Sequence, residues 1–147
     1  MKKLIIILML LLVSCGYKPI FSQNDQLILE FNKIVSNGDS RINKQIINSV
    51  NLKENISSNH ELTLTTAYDV EETSKNSKGQ VETYRSIINT QLIIKKDEKI
   101  IKNKNFSNEF SYNNKNNKYE LTKYQNEIKN NLINELTEEI ILFLKLL

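Results

Sequence analysis

The spacing of apolar residues divides this chain into segments that favour different secondary structures. An unbroken apolar run from Leu4 to Val13 comes first, behind Lys2 and Lys3. It is about ten residues long, whereas a membrane-spanning helix needs roughly 20. From Leu27 to Val35 apolar residues alternate (Leu27, Leu29, Phe31, Val35), which predicts a strand with one buried face. Asn37-Gly38 breaks it. Asp39 is placed to cap a short helix with Ile42, Ile46, Ile47 and Val50 on one side, ending near Leu52 to Asn55. Alternation returns over residues 60 to 72, where Leu62, Leu64, Tyr68 and Val70 oppose Glu61, Thr63, Thr65, Asp69 and Glu71.

Two more strands follow, divided by turns at Ser74 to Gly79 and Lys95 to Glu98. One runs from about Val81 to Ile94 with Ile88, Leu92 and Ile94 together. The other runs from Lys99 to Tyr112 with Phe106, Phe110 and Tyr112 together. Short turns between them predict a meander. After the polar break Asn113 to Lys118, Asn117 with Glu120 three positions on signals a helix start. Leu121, Tyr124, Ile128, Leu132, Leu136, Ile140, Phe143 and Leu147 then step by three or four. The expected fold is α+β: a two-layer α/β sandwich with a four-stranded, mostly antiparallel sheet and two helices on one face, in the order β-α-β-β-β-α.

The first apolar run changes meaning once its ends are considered. A charged start and a short apolar segment describe a secretory signal peptide. The closing Leu12-Val13-Ser14-Cys15 resembles the bacterial lipobox, which implies lipid on Cys15 and removal of residues 1–14. The alternative is an ordinary signal peptide with a chance cysteine. Cys15 is the only cysteine, so no intramolecular disulfide can form, and lipidation would remove a free thiol. Two acyl chains anchor stably where one does not. Gly16 follows, and an Asp there would point to the inner membrane by resemblance to known sorting rules. Gly16 leaves the outer membrane, facing the periplasm, as the expectation. Residues 15–26 read as a lipidated tether, whose Tyr17, Ile20 and Phe21 are apolar enough to pack, and residues 27–147 as one domain.

Of 20 basic and 17 acidic residues, Lys2 and Lys3 belong to the signal peptide, so the mature chain is nearly neutral. That gives no field for nucleic acid. The single histidine, His60, rules out a two-histidine metal site, and no motif sets a serine on a strained turn. Glu71-Glu72 and Glu138-Glu139 are adjacent pairs whose side chains diverge. The three glycines are scattered, so no phosphate-cradling loop exists. We therefore expect no enzyme and no cofactor or metal. Two features remain. Lys95, Lys96, Lys99, Lys102 and Lys104 gather at one end of the meander, where Lys95, Lys96 and Lys99 are candidates for lipid phosphates, against a plain solvated turn. The stretch Ile140 to Leu147 is apolar nearly all round, making Ile141, Leu144 and Leu147 candidates for a partner or membrane contact, against simple core burial.

Cys15-Gly16-Tyr17-Lys18-Pro19-Ile20-Phe21 resembles the mature start of the LptE family of lipopolysaccharide-assembly lipoproteins, in a branch where Cys-Gly-Phe-Arg-Pro-Leu-Tyr is typical. Ser111-Tyr112-Asn113, a polar break, and a helix carrying Asn131-Leu132 and Glu135-Leu136-Thr137-Glu138-Glu139-Ile140 are similar to that family's carboxyl end. This chain is shorter and lacks the alanines common in that helix. The resemblance implies a role without catalysis: a plug inside the outer-membrane barrel LptD that helps the barrel assemble and engages lipopolysaccharide. A lipoprotein chaperone or pilotin for another secretion component is the competing expectation.

Overall fold

The computed structural model describes residues 29–146. The expected signal peptide, Cys15 and the expected tether lie outside them, as do Leu27 of the first expected strand and Leu147. The elements are β1 (Leu29–Phe31), β2 (Lys33–Gly38), α1 (Ser40–Val50), β3 (Leu52–Glu54), β4 (His60–Lys75), β5 (Val81–Lys96), β6 (Lys99–Asn113) and α2 (Lys118–Lys145). The expected α+β two-layer sandwich is present. One sheet has the order β2-β4-β5-β6, with β2 parallel to β4 and the other pairs antiparallel. Both helices contribute to one core against one face of it.

The strand expected over Leu27 to Val35 divides at Asn32. Its N–H donates to the His60 carbonyl at 2.7 Å, and the chain there changes partners. Before it β1 pairs in parallel with β3; after it β2 pairs in parallel with β4. Asn37-Gly38, expected to end the strand early, forms its last paired residues, Gly38 opposite Thr66. A Cβ on Gly38 would collide with the Thr66 carbonyl, and its φ of +79° is also glycine territory.

Asp39 caps α1 as expected, its carboxylate accepting from Arg41 N (3.0 Å) and Ile42 N (3.1 Å). Ile42, Ile46 and Val50 are buried. The helix stops at Val50 because Asn51 turns left-handed (φ 60°) and its N–H returns to the last-turn carbonyls. The following Leu52–Glu54 is therefore a strand and not a helical tail.

Strands β4, β5 and β6 run 15 to 16 residues, roughly 50 Å at 3.3 Å per residue. Leu62, Leu64, Ile88, Leu92, Ile94, Phe106 and Tyr112 point under the helices and are buried. Small polar residues fill the gaps between them and bond to each other: Thr66 Oγ1 lies 3.0 Å from Thr90 Oγ1, and Ser86 Oγ lies 3.0 Å from the Tyr68 hydroxyl and 3.2 Å from that of Tyr112. Pairing these hydroxyls removes the penalty of burying them alone. Val70 and Phe110, expected in the core, lie at its margins and are exposed. The opposite face of the sheet, with Thr65, Ala67, Asn89, Asn105 and Ser107, is open to solvent.

Helix α2 begins at Asn117, whose side chain accepts from Tyr119 N (2.8 Å) and Glu120 N (3.4 Å). Its buried stripe is Ile128, Leu132, Ile133, Leu136, Thr137, Ile140 and Leu144. The stripe is wider than the spacing predicted because α2 covers β5 and β6 and also packs on α1. Leu121, Tyr124 and Phe143, placed on the stripe by spacing, are half-buried. Tyr124 meets Tyr112 edge-on and Phe143 meets Phe106 edge-on. These two contacts fix the direction of α2: its start lies over the ends of β6 near Asn113, and its end lies over the middle of β6.

Candidate functional site at the basic end of the sheet

The β5–β6 hairpin closes with only Asp97 and Glu98 between paired Lys96 and Lys99. Both turn residues have positive φ, 48° and 65°. A two-residue turn of this kind matches the twist of the strands, but it normally carries Asn-Gly. Here two non-glycine residues hold it, with Glu98 the more strained of the two.

The hairpin brings the predicted lysines together, and a bulge arranges them. Ile94 faces Lys102, yet Lys95 faces Ile100, so β6 has one residue too many at this point. Side chains normally alternate, which would set Lys99 and Lys102 on opposite faces. The extra residue cancels that alternation. Lys96, Lys99, Lys102 and Lys104 therefore share the helix-bearing side, while Lys95 turns to the open side beside Glu61. Lys33 lies on the other flank of Glu61. Lys96, Lys99, Lys102 and Lys104 are exposed and Lys95 is half-buried; none forms an ion pair with a described residue. The trio Lys95, Lys96 and Lys99 is thus adjacent in space but split across the two faces, and Lys102 and Lys104 complete the set that shares a face.

His60 starts β4 opposite Lys96, with its backbone N–H donating to Ser58 Oγ at 3.3 Å. Among the described residues no group of three or more His, Cys, Asp or Glu side chains is placed to hold a metal ion. Glu71 and Glu72 diverge onto separate partners, Arg85 at 2.8 Å and Lys75 at 3.0 Å.

The end of α2 corrects an expectation. Leu144 is only 3% exposed and belongs to the core, because Leu136, Ile140 and Leu144 repeat every four residues and stay on the buried side. Ile141 is half-buried against the same core. The apolar surface of this end comes instead from Leu142 and Leu146, 52% and 86% exposed. No helix among the described residues is long and apolar enough to cross a membrane.

Two hollows were not readable from spacing. One, of about 410 Å³, is shallow and lies on the open face over Ala67, where a small side chain sits among Thr65, Asn89, Gln91, Asn105 and Ser107. The other, about 160 Å³, is a groove between β6 and α2 lined by Phe110, Tyr124, Glu127, Ile128, Asn131, Leu132 and Glu135.

No family model and no curated protein matches this sequence. Solved structures do resemble it. Rare lipoprotein B from Shewanella oneidensis superposes with a TM-score of 0.59 at 12% identity, covering 78% of this chain and 94% of that one. A minor lipoprotein from Acinetobacter baumannii gives 0.53 at 12% identity, covering 77% and 90%. Lipoprotein B from Nitrosomonas europaea gives 0.54 at 9% identity, covering 86% and 88%. The fold is thus one shared with bacterial lipoproteins over nearly the whole of their solved lengths.

Proposed function

We propose that this protein is a lipoprotein of the bacterial outer membrane, anchored through Cys15, that plugs and helps assemble an LptD-type barrel and assists lipopolysaccharide transport. It acts without catalysis, cofactor or nucleic acid. The observation that carries the reading is the joint occurrence of a lipobox-like Leu12-Val13-Ser14-Cys15 and a fold shared with bacterial lipoproteins. The Cys15-to-Phe21 resemblance to LptE narrows it.

In this reading the basic hairpin end meets lipid phosphates. Four ammonium groups on one side, unpaired among the described residues, with Lys95 behind them, present charge-assisted donors to a polyanionic headgroup. The groups are solvated, so the attraction is strongest at low ionic strength.

Affinity capture on the lipidated protein from envelopes tests the partner. Recovery of a large outer-membrane β-barrel is the expected result. Recovery of a secretin subunit instead replaces the reading with that of a pilotin. For the anchor, Cys15→Ala should leave uncleaved or mislocalised precursor. A wild-type mature form of unlipidated mass would remove the anchor from the account.

A further inference from the structure

Strand β6 is the longer of the two edges of the sheet: β5 pairs one side of it, and no described strand pairs the other. It is 15 residues long. An edge of that length presents a row of unpaired backbone N–H and C=O groups that can template another strand. Natural edges are commonly blunted by charge, and lysines do this here for one half only. Lys99, Lys102 and Lys104 occupy its beginning, while the half from Phe106 to Asn113 carries Glu109 alone among charged residues. Phe110 in that half is 47% exposed.

The two halves are complementary on the helix-bearing side. Lys102 and Lys104 face that side, across from Ile94 and Leu92. Beside the second half runs the groove of Phe110, Tyr124, Ile128 and Leu132, flanked on α2 by Glu127 and Glu135. Both lysines and both glutamates are exposed, and none of the four forms an ion pair with a described residue. One edge therefore carries an unpaired basic half and an unpaired acidic, apolar half.

We propose that two copies of this chain pair through β6, antiparallel about a two-fold axis at Phe106, making one continuous sheet. A two-fold axis perpendicular to the sheet keeps each side chain on its own face, so residues meet like-facing residues. Centred on Phe106, it sets Lys102 opposite Phe110 of the second copy and Lys104 opposite Asn108. The methylene stem of Lys102 covers the exposed ring, and both ammonium groups reach toward Glu127 and Glu135. Each contact occurs twice, as an isologous interface requires. The pairing hides the long edge while the chain has no barrel around it.

Sedimentation of the mature lipoprotein in detergent, without lipopolysaccharide, tests this with two double variants. Lys102→Glu with Lys104→Glu sets glutamates against Glu127 and Glu135 of the second copy; Glu127→Lys with Glu135→Lys sets lysines against its Lys102 and Lys104. Wild type should dimerise with rising concentration, and each variant alone should dimerise about tenfold more weakly or worse at low salt. Mixing the two variants should restore dimers, which also shows that both are folded. A monomeric wild type overturns the proposal. So do dimers indifferent to both reversals, which the micelle would account for, and so does a mixture that stays monomeric. A photocrosslinker at Ser107 that captures a β-barrel in envelopes, and no second copy, assigns the edge to the barrel instead.

Discussion

The two ends of the meander are built from the same three strands but handle charge in opposite ways. At the β4–β5 turn, Glu71, Glu72 and Glu109 meet Arg85 and Lys75 within the sheet surface. Arg85 bridges β4 and β6 at 2.8 and 3.7 Å, and its hydrogen bond to Glu71 holds its guanidinium above the ordinary pKa. At the β5–β6 turn, five lysines have no ion partner among the described residues, around a turn of two non-glycine residues. At the first end three carboxylates are paired within the sheet surface; at the second no lysine is paired with a described residue. Unpaired like charges repel, and in the proposed function a polyanionic headgroup is what offsets that repulsion.

The largest expected effect comes from stripping cover from the middle of the sheet, on the side toward the basic end. Truncation after Glu139 removes buried Ile140 and Leu144 together with Phe143 on Phe106. Each buried aliphatic contributes roughly 1.5–3 kcal/mol, so denaturation should show a loss of several kcal/mol. Hydrogen exchange should rise first in β5 and β6 near Leu92 and Phe106, and later at the acidic end. Uniform exchange would show that the two ends are one cooperative unit.

Next in size is the ligand itself. Changing Lys95, Lys96 and Lys99 to Ala should weaken binding to lipopolysaccharide vesicles by about 3 kcal/mol at low salt, at roughly 1 kcal/mol per lysine near an anionic surface. Changing Lys75 and Lys78 at the other end should leave it unchanged. Equal losses from both sets would reduce the contrast to net charge.

A smaller effect lies between the ends. Hydrogen bonds from Ile42 N and the nearby ammonium of Lys129 (3.5 Å) hold the Asp39 carboxyl below its usual pKa. A carboxylate lowered in the folded state stabilises it above the unfolded pKa, and that contribution fades as pH falls through the folded one. Asp39→Ala should thus cost about 1 kcal/mol near neutral pH. The difference from wild type should shrink as pH drops below the ordinary carboxylate range. Lys129 also lies 4.7 Å from the Tyr68 ring centre, so some of its grip should outlast Asp39.

Relieving the basic turn should be milder still. Asp97→Asn with Glu98→Gly supplies the residues that positive φ prefers and should stabilise by roughly 0.5–1 kcal/mol in thermal melts. It also removes two negative charges and should tighten vesicle binding. Tighter melting with unchanged binding would separate turn strain from ligand capture. The smallest change is expected from Arg85→Gln, which frees Glu71 and Glu109 on an exposed surface. Its effect on melting should vanish in high salt.

The alternation of Leu62, Leu64, Ile88, Leu92 and Ile94, the caps at Asp39 and Asn117, and the spacing of Leu132, Leu136 and Ile140 were all legible in the chain. Each is a local rule: two-residue periods make one-sided strands, and side-chain acceptors satisfy orphan helix N–H groups. Lysine clustering at residues 95–104 was equally plain, since a short turn keeps sequence neighbours together. What tertiary structure decided was everything set by a distant partner. Leu52–Glu54 became a strand because β1 lay beside it, and Phe110 stayed exposed because α2 passes to one side of it. Leu144 became core, leaving Leu142 and Leu146 as the surface of that helix end. The bulge at Lys95 chose which lysines share a face, and packing of the helices on the sheet decided that Thr66, Thr90 and Ser86 are fully buried and bonded to partners on neighbouring strands. A period says which residues lie on the same side of an element. Which side is covered, how far, and by what, depends on contacts between residues far apart in the chain, and no local spacing encodes those.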